Sequence, residues 1–218
     1  MSRAGRRAEL EPAYVLHHRP WRDTSRLLDV FSRDHGRLAL FARRVRGPKS
    51  KLAPVLQPFQ PLLLSWSGSG DAGQLTRAEP ALDAQRDAVP ALPAAALMSG
   101  WYLNELLLKL TTRLDPQPGL YAHYEDALGA MRAGEPAAPV LRRFELQLLE
   151  ELGYGLDLAH EARTGRPIEA GSYYHFHPSL GFVGLSSEPG PDALPGASVL
   201  ALAAGRFDGP RALDDARR

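Results

Sequence analysis

The sequence predicts an α+β protein, with a five-stranded β-barrel at its N-terminus and an α-helical domain after it. Two patterns predict this division. Short β-prone runs separated by turn residues fill the first 80 residues, and segments rich in Ala and Leu at helical spacing follow them. The composition agrees, since 44% hydrophobic and 23% charged residues in a chain of 218 are typical of a globular protein with a buried core.

Five strand-length runs are predicted in the first part, over residues 14–18, 24–33, 37–43, 55–66 and 74–78. A tight turn around Gly36 joins the second and third, while Pro58 and Pro61 suit a bent or edge strand. The stretch GSGDAG at residues 68–73 matches G-x-G-x-x-G, but a returning strand follows it, so it predicts a hairpin turn rather than a dinucleotide site. Five short strands in this length predict an OB-fold at residues 8–80.

Three helices are predicted after the barrel, over residues 93–113, 119–133 and 139–152. The third carries an apolar stripe at i, i+3, i+4 spacing that consists of Leu141, Phe144, Leu148 and Leu152. Residues 156–196 are rich in Gly, Pro, His and Ser and are predicted to be irregular or hairpin-like, and residues 194–204 to form a strand or a short helix. The helical domain is therefore predicted at residues 81–218.

The composition excludes several classes of function. The chain has no Cys, which removes disulfide scaffolds, Cys-ligated zinc, iron–sulfur clusters and thiol catalysis. No apolar run approaches the roughly 20 residues of a membrane helix, and no apolar segment follows the basic N-terminus, so we expect no membrane contact and a cytoplasmic location. Because neither a P-loop nor a G-x-S-x-G elbow is present, we expect no catalytic residues and no cofactor.

His160, His175 and His177, with Glu161, are the residues that could form a metal site. Zinc needs four ligands in tetrahedral array, and Thr164 stands where the second His of H-E-x-x-H would be. We therefore predict surface or structural roles for these residues and no metal. A metal-dependent hydrolase at the three histidines is a distant alternative.

Positive charge is concentrated near the N-terminus. Residues 1–54 carry 13 Lys and Arg against 5 Asp and Glu, whereas the whole chain has a formal net charge of +1. Such a segment indicates an anionic partner, most commonly nucleic acid, and single-strand binders combine a cationic groove with rings on which bases stack. We expect Phe31 and Phe41 in the core, and Trp21 either there or at the surface. DNA contacts are predicted at Arg19, Trp21, Arg22, Arg37, Arg43, Arg44, Arg46, Lys49 and Lys51.

The chain resembles the RecO family of bacterial recombination mediators in four stretches that follow the family's order. They are YVLHHRPWRDTSRLLDVFSRDHGRLALFARRVRG, LQPFQPLLLSWSG, WYLNELLLKL and LRRFELQLLEELGYGLDL. The resemblance covers nearly the whole chain and implies an OB-fold followed by a helical domain, without enzymatic turnover. It also implies binding of single- and double-stranded DNA, annealing of complementary strands, and help in loading RecA onto DNA coated by single-strand-binding protein (SSB), with RecR as a partner, at the nucleoid.

The resemblance further implies capture of the SSB C-terminal tail, an acidic peptide that ends in Phe with a free carboxylate. Such a ligand needs an apolar slot for its ring and a cation for its carboxylate. The sequence predicts them on the helix at residues 139–152, where Arg142 and Arg143 border Leu141, Leu148 and Leu152. The alternative is a core-facing stripe beside two solvated arginines.

Two further expectations concern a departure from the family's pattern and a rival function. Some RecO-like proteins carry a four-cysteine zinc module in the region matching residues 156–190, and a chain without Cys must leave that region metal-free or build it differently. The rival function is an adaptor whose OB-fold docks protein partners and contacts nucleic acid only weakly. Salt-dependent DNA affinity distinguishes the two.

Overall fold

The computed structural model describes residues 6–47, 50–68, 72–81, 89–185, 189–207 and 214–215. These residues fall into two compact units that divide between Glu135 and Pro136. Among them, no helix has the length and apolar character needed to cross a membrane.

The first unit contains a closed barrel of five strands. They are β1 (Arg6–Trp21), β2 (Ser25–Ser32), β3 (Gly36–Ala42), β4 (Leu62–Gly68) and β5 (Ala72–Pro80). Their order around the barrel is β1-β2-β3-β5-β4, with β3 and β5 parallel and the other neighbours antiparallel. This topology confirms the predicted OB-fold. The β4–β5 hairpin likewise confirms that a returning strand follows the glycine-rich stretch.

Two strands differ from their predicted bounds. β1 is 16 residues long, because irregularities at Ala8/Glu11 and Val15/His17 let one bent strand pair first with β4 and then with β2. The strand predicted over residues 55–66 begins only at Leu62. Phe59 has a φ of 67°, and prolines on either side of it lack the N–H that a strand donates, so this stretch turns instead of pairing.

Two helices, α1 (Leu97–Leu110) and α2 (Pro118–Arg132), belong to the same compact unit as the barrel. Alternation along β2 places Leu28 and Val30 in the barrel core, while Phe31 faces outwards and is still fully buried. Its ring contacts Tyr121 of α2 at a centroid distance of 5.7 Å. The helices therefore cover one outer face of the barrel, and Phe31 lies in the core as predicted. β5 ends at Pro80, where the sequence predicts the barrel to end.

A single amide side chain joins the barrel to both helices. At the bulge in β1 the register passes from Val15 to His17, which leaves Leu16 without a partner on β2. Asn104, only 1% exposed on α1, donates from Nδ2 to the Leu16 carbonyl oxygen at 2.7 Å. Its Oδ1 accepts from the Tyr124 hydroxyl of α2 at 2.6 Å. A buried carbonyl and a buried hydroxyl thus find their partners in one residue.

The start of β3 is tied to the segment that follows α1. Arg37 donates from Nε to Thr111 Oγ1 at 3.1 Å and from Nη2 to the Thr111 carbonyl at 2.8 Å. Gly36 has a φ of 66°, and a Cβ there would lie 2.1 Å from the carbonyl oxygen of Asp115. Only glycine fits this close approach of two backbones.

The second unit combines helices with a small sheet. It contains α3 (Ala137–Glu151), β6 (Tyr173–His177), β7 (Gly181–Gly184), β8 (Leu194–Pro195) and α4 (Gly196–Ala203). The sheet order is β7-β6-β8, and its core is formed by Ile168, Tyr174, Phe182, Leu194 and Val199. The stretch predicted as irregular or hairpin-like thus holds the β6–β7 hairpin, and residues 194–204 supply both a strand and a helix.

Glu161 holds the loop before this sheet. Its side chain is 7% exposed and accepts hydrogen bonds from the Thr164 hydroxyl, from the backbone N–H of Thr164 at 2.7 Å, and from that of Gly184 at 3.3 Å. The Thr164 hydroxyl bond, followed by these backbone donors, lowers the pKa of Glu161 to about 2. The ionised carboxylate therefore fastens the loop to β7.

We expect Asn104→Leu to lower the free energy of unfolding by about 3 kcal/mol, because it leaves the Leu16 carbonyl and the Tyr124 hydroxyl buried without these partners. Tyr124→Phe breaks only one of the two bonds and should cost about 1 kcal/mol. Urea unfolding of both variants measures the difference. If both variants lost the same free energy of unfolding, the hydrogen bond from Asn104 to the Leu16 carbonyl would contribute nothing to stability.

We expect the second unit to lose stability in acid through Glu161. Its folded pKa lies below that of an unfolded Glu, near 4.3. The carboxylate's stabilisation is therefore complete above that value and is lost as the pH falls through about 2. Glu161→Gln should be less stable than the wild type at pH 7, with a gap that closes in acid. Melting curves from pH 7 to pH 2 test this, and a gap that does not depend on pH would contradict it.

Candidate nucleic-acid interface

Two aromatic rings meet on the outer surface at one end of the barrel. The register places Arg19 opposite Leu27 and Leu27 opposite Phe41, so this row crosses β1, β2 and β3 on one face. Trp21 lies two residues beyond Arg19 and contacts Phe41, with ring centroids 5.3 Å apart. Trp21 is 40% exposed and Phe41 is half-buried. Because base stacking needs accessible ring faces, this pair can receive a nucleobase.

The prediction that Phe41 lies in the core is therefore wrong. Leu38, Leu40 and Ala42 occupy the barrel core, and side chains of a strand alternate between its two faces. Phe41 consequently points outwards. The alternation was visible in the sequence and could have placed this ring at the surface.

The segment after β3 returns to the β1–β2 turn and brings its arginines with it. Val45 is fully buried in the barrel core and anchors the segment. Arg46 donates from its backbone N–H to the Thr24 carbonyl at 3.0 Å and from Nη1 to the Arg22 carbonyl at 3.1 Å. The rings are thus accompanied by five exposed arginines at this end of the barrel, the cationic rim: Arg19, Arg22, Arg43, Arg44 and Arg46.

Two members of the cationic rim have unusual backbone conformations. Arg22 has a φ of 53° and Arg44 a φ of 56°, in the left-handed region that glycine or asparagine usually occupies. Such residues cost about 1–3 kcal/mol each and cluster at functional sites.

Two of the predicted DNA-binding residues, Arg37 and Lys51, lie outside the cationic rim. Arg37 is at the opposite end of β3, where burial and the neighbouring Arg113 lower the pKa of its guanidinium and where it binds Thr111. Lys51 is exposed in the turn after the cationic rim. Lys49 lies outside the described residues.

His18 and Arg26 face the barrel interior at the same end, since they are paired with Leu28 and Ala42 of the core. Burial, followed by the charge of Arg26 and by His17, lowers the pKa of His18. Nη1 of Arg26 is buried without a protein partner among the described residues. This adds a partly buried positive charge beneath the cationic rim.

A second candidate site is an apolar cavity of about 160 Å³ in the second unit. Its apolar walls come from α3, the small sheet and α4, and include Leu146, Leu149, Phe176, Phe182, Val199 and Leu202. Arg142 and Glu145 of α3 border it and form an ion pair at 2.6 Å, and Asp215 is a further acidic neighbour.

The structure separates the residues predicted for the SSB tail. Arg142 borders the cavity, whereas Arg143, Leu141, Leu148 and Leu152 do not. Leu148 is 1% exposed, on the core-facing side of α3 with Phe144. Leu146 and Leu149 line the cavity instead. Reasoning from one helix missed them, because the cavity exists only once the sheet and α4 are in place.

The three histidines considered as metal ligands are exposed. His160 contacts Asp157, with Nδ1 3.1 Å from Oδ2, and His177 contacts Ser179, with Nδ1 3.0 Å from Oγ. His175 lies between them in sequence on β6. Within the described part of the chain, no group of three or more His, Asp or Glu could hold a metal ion.

Comparison with known proteins gives matches along most of the chain. The model of the family described as "Recombination protein O N terminal" matches residues 8–82, and that of "Recombination protein O C terminal" matches residues 94–208. Relatives named "DNA repair protein RecO" include one from Azoarcus sp., 45% identical over 97% of this chain and 87% of the relative. Another is from Aromatoleum aromaticum, 46% identical over 92% of this chain and 82% of the relative. A third, from Nitrosococcus oceani, is 43% identical over 97% and 85%.

The two family models match in the order in which the barrel and the helices occur, and the family that they describe is the one that the four stretches of sequence resemble. With 43–46% identity to these relatives over 92–97% of its length, the chain belongs to the recombination protein O family, RecO.

Proposed function

We propose that the protein acts in DNA repair and homologous recombination by binding single- and double-stranded DNA and annealing complementary strands, without catalytic turnover. The observation that supports this most directly is the cationic rim around Trp21 and Phe41. Phosphate contacts by arginines supply sequence-independent affinity, and rings accept any base by stacking. Both properties suit a protein that must act on many sequences.

Annealing follows from the same electrostatics. Two single strands repel each other through their phosphates, and a surface that neutralises several phosphates reduces that repulsion while the bases pair. The available charge supports this role, since none of the carboxylates in the described residues forms an ion pair with Arg19, Arg43 or Arg44. These arginines are free to meet phosphates.

The finer proposal is a mediator role, in which the protein helps to load RecA onto SSB-coated DNA, with RecR as a partner, in the cytoplasm at the nucleoid. For this we propose that the cavity beside Arg142 receives the SSB tail. Its apolar walls suit the terminal Phe ring, and the Arg142 guanidinium can bind the terminal carboxylate. Since Glu145 already pairs with Nη1 of this guanidinium, the tail carboxylate competes with Glu145 for it.

The adaptor alternative predicts weak DNA binding with little salt dependence. Clustered exposed arginines favour the first proposal, because a protein-docking barrel has no need of five cations at one end. The salt dependence of DNA affinity decides between them.

We expect the triple substitution Arg19→Gln, Arg43→Gln and Arg44→Gln to weaken binding of every single strand alike. Each lost phosphate contact lowers the slope of log K against log salt by about 0.7, so the slope should fall by about 2. Fluorescence anisotropy with a labelled oligonucleotide between 50 and 300 mM salt measures it.

The matched control replaces Arg7, Arg33 and Arg77, which are exposed arginines of the barrel paired with Glu9, Asp34 and Glu79. It removes the same charge and should leave the slope nearly unchanged. If the control weakens binding as much as the test variant, the cationic rim is not the site.

We expect Arg142→Ala to weaken binding of a peptide with an acidic stretch and a C-terminal Phe by about tenfold or more, the effect of losing a charge-assisted hydrogen bond. Glu145→Gln should strengthen binding, because it releases Arg142. Arg143→Ala, next to Arg142 but outside the cavity, is the control and should bind like the wild type. Calorimetric titration measures all three. Tail binding that depends on Arg143 and not on Arg142 would place the tail elsewhere on α3.

A further inference from the structure

Three ring side chains stand on the solvent face of the small sheet, outside both sites described above. Tyr173, His175 and His177 alternate along β6 with Tyr174 and Phe176, which pack on the core. Tyr173 is 42% exposed, and both histidines are exposed. The Tyr173 ring lies beside β8, which pairs only with Tyr173 and Tyr174, and the two histidine rings lie beside β7.

The neighbours of these rings leave them accessible. The register places Val183 beside His175, Gly181 beside His177 and Pro195 beside Tyr173. Residues directly opposite each other share a face, so small or aliphatic residues flank every ring. Among the described residues of the three strands, this face carries no carboxylate. Within these strands, the described residues therefore offer no acidic group that would repel a phosphate.

Two cations lie on the loop that borders the sheet. Arg163 and Arg166 are exposed on it, and the loop is fastened to β7 because the Ala162 N–H donates to the Phe182 carbonyl at 2.7 Å. Of the nearby carboxylates, Glu161 is already engaged by Thr164 and by backbone donors, and the exposed Glu169 accepts from the Ser172 hydroxyl at 3.4 Å. The imidazole rings of His175 and His177 add further aromatic surfaces.

We propose that Tyr173, His175 and His177, the ring face, bind single-stranded DNA by stacking its bases, as a second contact surface besides the barrel. Alternate residues of a strand lie about 6.7 Å apart. Aromatic side chains so spaced on a sheet stack two or three bases in RNA-recognition modules. All three outward side chains of β6 are rings, so every outward position of this strand offers a surface on which a base can stack.

A second surface that binds single-stranded DNA would assist annealing. A protein with two surfaces can hold two complementary strands at once, or one strand over a longer stretch. The inference therefore goes beyond the cationic rim and does not depend on it.

The test measures oligo(dT) binding by the full chain with Tyr173→Thr, His175→Thr and His177→Thr together. We expect about tenfold weaker binding. Tyr154→Thr, which removes a ring that is 71% exposed elsewhere in the second unit, is the control and should change nothing. His175→Phe with His177→Phe keeps the rings and should bind like the wild type. A loss in that variant would overturn stacking as the mode of binding.

Photo-cross-linking of the wild type to an oligonucleotide that contains 5-iodouracil locates the contact without any substitution. Cross-links on β6 support the inference even if the triple variant fails to fold. Unchanged affinity in the triple variant, with cross-links only at the barrel, overturns the inference but leaves the proposed function intact. Weak, salt-independent binding by the wild type would instead overturn the proposed function. Cross-links neither on β6 nor at the barrel, together with unchanged affinity in the triple variant, would also overturn the inference.

Discussion

The carbonyl of Leu16 points away from β2 in the middle of a long strand, and the packing of the first unit follows from how that carbonyl is satisfied. A buried carbonyl without a partner is costly, and the bulge that creates it follows Ala13, the residue at which β1 passes from β4 to β2. Asn104 can donate to this carbonyl only when α1 packs at one position along β1. Tyr124 then fixes α2 through the same amide. The strand that joins β4 to β2 in the closed barrel therefore also sets the positions of the helices, through its bulge at Leu16.

This arrangement divides the surface of the barrel between structure and function. The helices cover the face that holds Phe31, and Arg37 is committed to Thr111. The opposite end of β3 keeps its rings and arginines exposed. There, Arg22 and Arg44 hold left-handed conformations, and the buried Val45 supplies an anchor that allows the chain to tolerate them. Arginine thus has a structural role at one end of β3, and at the other end exposed arginines form the surface for which we propose DNA binding.

Local patterns predicted the barrel and its helices well, because alternation, turns and i, i+3, i+4 spacing are local signals. Leu28 and Val30 lie in the barrel core, as alternation along β2 indicates. The local patterns failed where segments distant in sequence determine the surroundings of a side chain. In the sequence, Arg37 is one more cation of a basic segment. Its structural role comes from hydrogen bonds to Thr111, which is 74 residues away. The wall of the cavity beside Arg142 likewise depends on the sheet and α4, which no property of α3 reveals.

The Glu161 loop has a consequence for association between molecules. A closed barrel has no free edge, but the small sheet has two, and an unpaired edge is a template for a strand of another chain. β8 is only two residues long, so its outer edge presents few backbone groups for pairing. On the outer edge of β7, the Phe182 carbonyl is taken by Ala162 and the Gly184 N–H by Glu161. The carboxylate thus caps the edge of β7, and a molecule that loses it exposes groups able to pair with its neighbours.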